Sequence, residues 1–141
     1  MSTNDNKAVN RRFYEEVLNN KNLASIDELF TADYVSHSTP PGLPPNREGL
    51  KMFISAFHTA FPDGKITIEE QIAEGDRVVT RGTFRGTQTG EFQGMPPTGK
   101  KVAISAIDIA RFNSGKHAEH WGGPDQLSLL IQLGVVPAPG A

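Results

Sequence analysis

At 141 residues the chain has the length of one domain, 1–141 with a core from about residue 7 to 134, able to bury roughly two thirds of its unfolded surface without a disulfide or structural metal. Zero cysteines exclude thiolate nucleophiles, iron–sulfur ligation and thiolate zinc sites. With 14 basic against 16 acidic side chains the net charge is −2, so no nucleic-acid partner is expected; the polar N-terminus and the lack of a run of about 18 apolar residues predict no membrane span and a cytoplasmic location.

Between Lys7 and Asn20, Val9, Phe13, Val17 and Leu18 recur at helical spacing and predict an amphipathic helix. Leu23, Ile26, Leu29 and Phe30 predict a shorter second helix. Tyr34 to Ser38 reads as a short extended piece, and Pro40, Pro41, Gly42, Pro44 and Pro45 as a loop. Asn46 is placed to cap a third helix whose Leu50, Phe53, Ile54, Phe57 and Phe61 form an aromatic stripe read as core. His58, on the flank of that helix, is given no role.

The apolar period then changes to two. Residues 65–72 and 76–85 predict one antiparallel hairpin, and 101–112 and 116–122 a second, with a loop from about Gly90 to Lys100 between them. Pro124 to Leu133 predicts a final helix with Pro124 in its first turn. Helices, then four antiparallel strands, then a helix define an α+β domain with a curved sheet wrapped on helices. An open apolar sheet face has to be covered, which leads us to expect a homodimer through the sheet.

Most chemical motifs fail on physics. Gly94-Met-Pro-Pro-Thr-Gly-Lys-Lys101 has phosphate-loop spacing, but Pro96 and Pro97 lack the N–H groups that would cradle phosphate, and a strand follows. His117-Ala-Glu-His120 packs three potential ligands together, yet strand alternation puts His117 and Glu119 on one face and His120 on the other, so no metal site is expected. No Gly-x-Ser-x-Gly elbow occurs, and a serine activated by His37 or His120 would have to be assembled from distant parts. Asp108 stands out because it shares its strand face with Val102, Ile104, Ala106, Ala110 and Phe112, as suits a general acid or base. Its bland alternative is a buried carboxylate paired with Arg81 or a tyrosine. Asp125 is read first as a helix-terminal residue and the lone Trp121 as packing.

Taken together, Phe13-Tyr-Glu-Glu-Val, Phe61-Pro-Asp, Ala73-Glu-Gly-Asp-Arg-Val, Gly94-Met-Pro-Pro-Thr-Gly-Lys, Ile109-Ala-Arg-Phe-Asn-Ser-Gly-Lys, Glu119-His-Trp and Gln132-Leu-Gly resemble the SnoaL-like polyketide cyclases, or ester cyclases, over about residues 7–134. The resemblance implies a cone-shaped α+β fold of the nuclear transport factor 2-like type. It also implies a cofactor-independent intramolecular aldol condensation that closes a ring of a polyketide-type ester, with an aspartate as base. It carries the catalytic roles onto His37, Asp108, His120 and Asp125, with Trp121, Arg81, Tyr34 and Phe57 as candidate substrate contacts for an apolar carbonyl-containing small molecule. Where similar enzymes carry an acidic residue directly after His-Trp this chain has Gly122, which leaves Asp108 or Asp125 as the base. A ketosteroid-isomerase-like isomerase, an epoxide hydrolase, or a non-catalytic ligand-binding or dimerisation domain are the alternatives on the same scaffold.

Overall fold

The computed structural model describes residues 2–140. Helix α1, Thr3–Arg12, begins earlier than the apolar period predicts because Ser2 and Asp5 close a reciprocal capping box. It continues as a π-helical segment, Phe13–Asn19. The buried face of this long helix is Asn6, Asn10, Tyr14 and Val17, whereas Val9, Phe13 and Leu18 flank it half-buried. The helix is thus turned from the face that its apolar residues define, and two polar side chains point inward with them.

Helix α2, Ser25–Leu29, leads directly into strand β1, Phe30–Ser36. After the proline loop comes α3, Arg47–Ala60, whose Asn46 cap accepts the Gly49 N–H at 3.1 Å. Strands β2, Lys65–Glu74, and β3, Arg77–Thr87, form the first hairpin; β4, Lys101–Asn113, and β5, Lys116–Pro124, form the second. Helix α4, Gln126–Gln132, closes the chain. Its cap is Asp125, and Pro124 ends β5 rather than entering the helix.

The sheet order is β1-β5-β4-β3-β2. Four strands are antiparallel as expected, but β1 is a fifth and pairs in parallel with β5. That pairing places Ser36 opposite His120. A second departure has a larger consequence. Between Arg111 and Phe112 the β4–β5 register slips, so that Arg111 faces Glu119 while Phe112 faces His117, and Ala118 is the extra residue of a β-bulge. The bulge inverts the alternation. His117 and His120 therefore share the inner face and Glu119 points out, correcting the expectation that Glu119 sides with His117.

On β4, Val102, Ile104, Ala106, Ala110 and Phe112 are buried with Asp108 among them, as the period of two requires. One apolar cluster gathers Phe61, Phe92, Val102, Ile104, Leu129 and Leu133, and another gathers Val17, Ile26, Leu29, Phe30, Tyr34 and Ile54. The aromatic stripe of α3 serves both core and cavity: Ile54 and Phe61 are buried, and Phe53 and Phe57 face open space inside the cone. The segment from Gly90 to Lys100 is tied down by fully buried Gln88, whose amide donates to the Gly90 and Pro96 carbonyls and accepts from the Thr98 N–H and hydroxyl. Among the described residues no helix is long and apolar enough to cross a membrane.

Candidate active site

Between sheet and helices lies a largely apolar cavity of about 660 Å³, the size range of small-molecule sites. Phe13, Phe30, Phe53, Phe57, Ala106 and Ala110 supply apolar wall, and Asp108 and His120 project into it from neighbouring strands. The two alanines beside Asp108 on its strand face leave the room that a larger residue would fill.

Asp108 is the centre of a hydrogen-bonded chain. His120 Nε2 lies 2.6 Å from its Oδ1, and the Tyr14 hydroxyl donates to its Oδ2 at 2.9 Å. Ser36 Oγ lies 3.2 Å from His120 Nδ1 and accepts the Ser38 N–H at 3.2 Å. A carboxylate only accepts, so the imidazole proton sits on Nε2, toward Asp108, and Nδ1 is left to accept the Ser36 hydroxyl proton. Burial, and then the charge of Asp108, raises the Tyr14 pKa well above the usual phenol value. Tyr14 therefore stays a donor. Behind it, Asn10 donates to Thr80 Oγ1 at 2.5 Å. Neither Tyr14 nor Ser36 stands out in the sequence, although two regularities hold them: Asn6, Asn10 and Tyr14 recur every four residues, and Tyr34 and Ser36 share one strand face.

Gly122 faces Asp108 directly across the β4–β5 ladder. Its φ is +98°, and a Cβ there would collide with the Ile107 carbonyl oxygen. No side chain fits at this position, so the carboxylate of the site comes from the strand opposite it.

The other candidates fall into two groups. Tyr34 and Phe57 line the cavity; Tyr34 is buried, and burial raises its pKa so that its phenol also stays protonated. Arg81, His37 and Trp121 do not meet Asp108. Arg81 sits on the outer face of β3, bonded to Glu70 at 2.8 Å, because it alternates with Thr80, which pairs with Asp108 on the inner face. His37 follows the end of β1, with Nε2 2.5 Å from Glu119 and its ring stacked on Trp121 at 5.1 Å. Trp121 is held between that ring and the Arg77 guanidinium, 4.9 Å away. Arg111 first and His37 second lower the Glu119 pKa. Asp125 is exposed and accepts the Ser128 N–H at 3.0 Å as the α4 cap.

Two histidines outside the expected catalytic set line the same cavity. His58 is half-buried, with Nε2 3.0 Å from the Leu18 carbonyl, and burial lowers its pKa. His117 is buried, stacked on Phe30 at 4.3 Å, and its Nε2 has no partner. Burial, and secondarily the neighbouring His120, lowers its pKa to about 3.

A curved sheet on helices, enclosing an apolar cavity with an aspartate–histidine pair in its wall, is the architecture of a nuclear transport factor 2-like cone. The sequence profile described as SnoaL-like polyketide cyclase matches residues 8–133, and the chain belongs to that family. Among solved structures it is similar to IdmH of Streptomyces antibioticus, a proposed polyketide cyclase, at 33% identity and TM-score 0.79 over 92% of this chain and 99% of that one. A proposed polyketide cyclase of Bacillus cereus matches at 30% identity and TM-score 0.82, over 94% and 82% of the two chains. TsrD of Streptomyces laurentii matches at 26% identity and TM-score 0.86, over 96% and 99%. No sequence match is found among curated proteins.

Proposed function

We propose that the protein closes a ring of a polyketide-type ester by intramolecular aldol condensation, with the Asp108–His120 pair moving the proton. The observation that carries this reading is the 2.6 Å bond between those two side chains in the wall of an apolar cavity. An α-proton next to a carbonyl passes to the Asp108 carboxylate, and the resulting enolate attacks the second carbonyl of the same molecule. Protonated Asp108 then gives that proton to the new alkoxide, while the Nε2–H of His120 and the Tyr14 hydroxyl hold the carboxyl group in place and stabilise the carboxylate as it is restored. Proton donors and apolar walls stabilise such an enolate better than water does. Tyr34 and Phe57 supply surface for the flat part of the substrate.

The outer sheet face supports the expected homodimer. Ile72, Val79, Ile109 and Trp121 lie in register across four strands, with Ile72 and the nearby Ile107 more than half exposed. A second copy of the chain covers this row in our reading.

The enzymatic reading is tested by incubating the protein with aromatic methyl esters that carry a 1,3-dicarbonyl side chain and following ring-closed product by liquid chromatography and mass spectrometry. Turnover in the wild type that Asp108→Asn and His120→Gln abolish is the expected result. Equal product with Asp108→Asn would overturn it.

A further inference from the structure

The order Ser36, His120, Asp108 in one hydrogen-bonded chain has a meaning beyond proton transfer to carbon. A hydroxyl pointed at one imidazole nitrogen, with the other nitrogen donating to a carboxylate, is the resting arrangement of an activated serine nucleophile. The nitrogens are interchanged relative to the familiar hydrolases, Nδ1 toward serine and Nε2 toward aspartate, but the tautomer logic is the same. All three residues line the cavity. The sequence gives no sign of it, because β1 and β5 are brought side by side only by their parallel pairing, which sets Ser36 opposite His120.

We propose that Ser36 is an acyl-accepting nucleophile, giving the protein an esterase activity toward carboxylic esters with an apolar acyl group, distinct from ring closure. Ser36 Oγ bonds to the ester carbonyl carbon while its proton goes to His120 Nδ1, and Asp108 stabilises the imidazolium. The carbonyl electron pair moves onto oxygen. Tyr34 supplies a donor there: it lines the cavity on the same face of β1 as Ser36, and burial keeps its phenol protonated. As the tetrahedral adduct collapses, the carbon–alkoxy bond breaks and the leaving oxygen takes the proton from Nδ1. Water repeats the steps on the acyl-serine, releasing the acid and restoring the hydroxyl; ester and water give acid and alcohol.

The cavity selects the substrate class. Its lining includes the apolar Phe30, Phe57, Ala106 and Ala110, and Lys65, which also borders it, has its ammonium bonded to the Asn19 carbonyl. A neutral, apolar acyl chain or aryl group fits such walls, and a charged one does not.

The probe is p-nitrophenyl butyrate, with release of p-nitrophenolate followed by stopped flow and the protein then digested for peptide mass mapping. The expected result is a butyryl adduct on Ser36 and a hydrolysis rate that falls about 100-fold or more in Ser36→Ala and in His120→Gln. Tyr34→Phe, which keeps the ring and the packing, lowers the acylation rate about tenfold without changing the site of the adduct. Acylation found only on lysines or the N-terminus, or an unchanged rate in folded Ser36→Ala, overturns the proposal. This readout involves no α-proton, so Ser36 acylation and ring closure stand or fall separately.

Discussion

His117 ties the buried face of the sheet to an acid-sensitive stability. In the unfolded chain its imidazole titrates near 6.5, whereas burial among Phe13, Phe30 and Phe112 lowers its pKa to about 3 in the fold. Between those values the unfolded chain binds a proton that the folded chain refuses, so stability is full above pH 6.5 and is lost as pH falls toward 3. The loss from this one residue amounts to about 2 kcal/mol at pH 5 and at most about 5 kcal/mol at the acid end of the window. His117→Leu removes it. At pH 7.5 the variant should lie within about 1 kcal/mol of the wild type, because the lost stacking is offset by removal of a buried, unpartnered Nε2. Urea unfolding at pH 7.5 and pH 5.0 measures both. Wild type should lose about 2 kcal/mol more than the variant between the two conditions; parallel losses would refute the reasoning.

Three other perturbations separate the parts of the structure. Tyr14→Phe removes the second donor to Asp108 and should cost about 1 kcal/mol; since Tyr14 ionises far less readily folded than unfolded, wild-type stability falls as pH rises past about 10 and the variant flattens that slope in alkaline urea titrations. Gly122→Asp should not create a second carboxylate in the site but should destabilise by about 2 kcal/mol or more, from the positive φ and the collision with Ile107; a folded variant of wild-type stability in a thermal melt would contradict the geometry. Ile107→Glu puts a charge beside the exposed apolar row of the sheet; on the proposed pairing, light scattering should give a dimer mass for the wild type and a monomer mass for the variant, whereas equal masses would remove the sheet face as the interface.

The parts of the fold that repeat locally were legible in the sequence. The apolar period of two in 101–112 singled out Asp108 as a carboxylate on a buried face, and that is where it lies. What was not legible depends on one chain segment meeting another. A β-bulge at Ala118 moves His117 to the face of His120, and nothing in Lys116-His-Ala-Glu-His announces an extra residue. The parallel pairing of β1 brings Ser36 to His120 across more than eighty residues. Arg81 and Trp121 look like binding residues by type, but strand alternation and the bulge's register turn them to the outer face. For the same reason Trp121 fluorescence reports on the outer sheet rather than on the cavity. Tyr14 was hidden by a helix whose inward face is partly polar, where Asp108 accepts from Tyr14 and Thr80 from Asn10.

Proton abstraction from carbon by Asp108 is the central claim, and it can be measured without the natural substrate. With 2-acetonaphthone in deuterium oxide at neutral pH, NMR follows deuterium entering the methyl group next to the carbonyl. Wild-type protein should accelerate this exchange saturably, and Asp108→Asn should lower the rate about 100-fold or more while the fold persists. Exchange no faster than in buffer, or equally fast in folded Asp108→Asn, would contradict the assignment of Asp108 as the base.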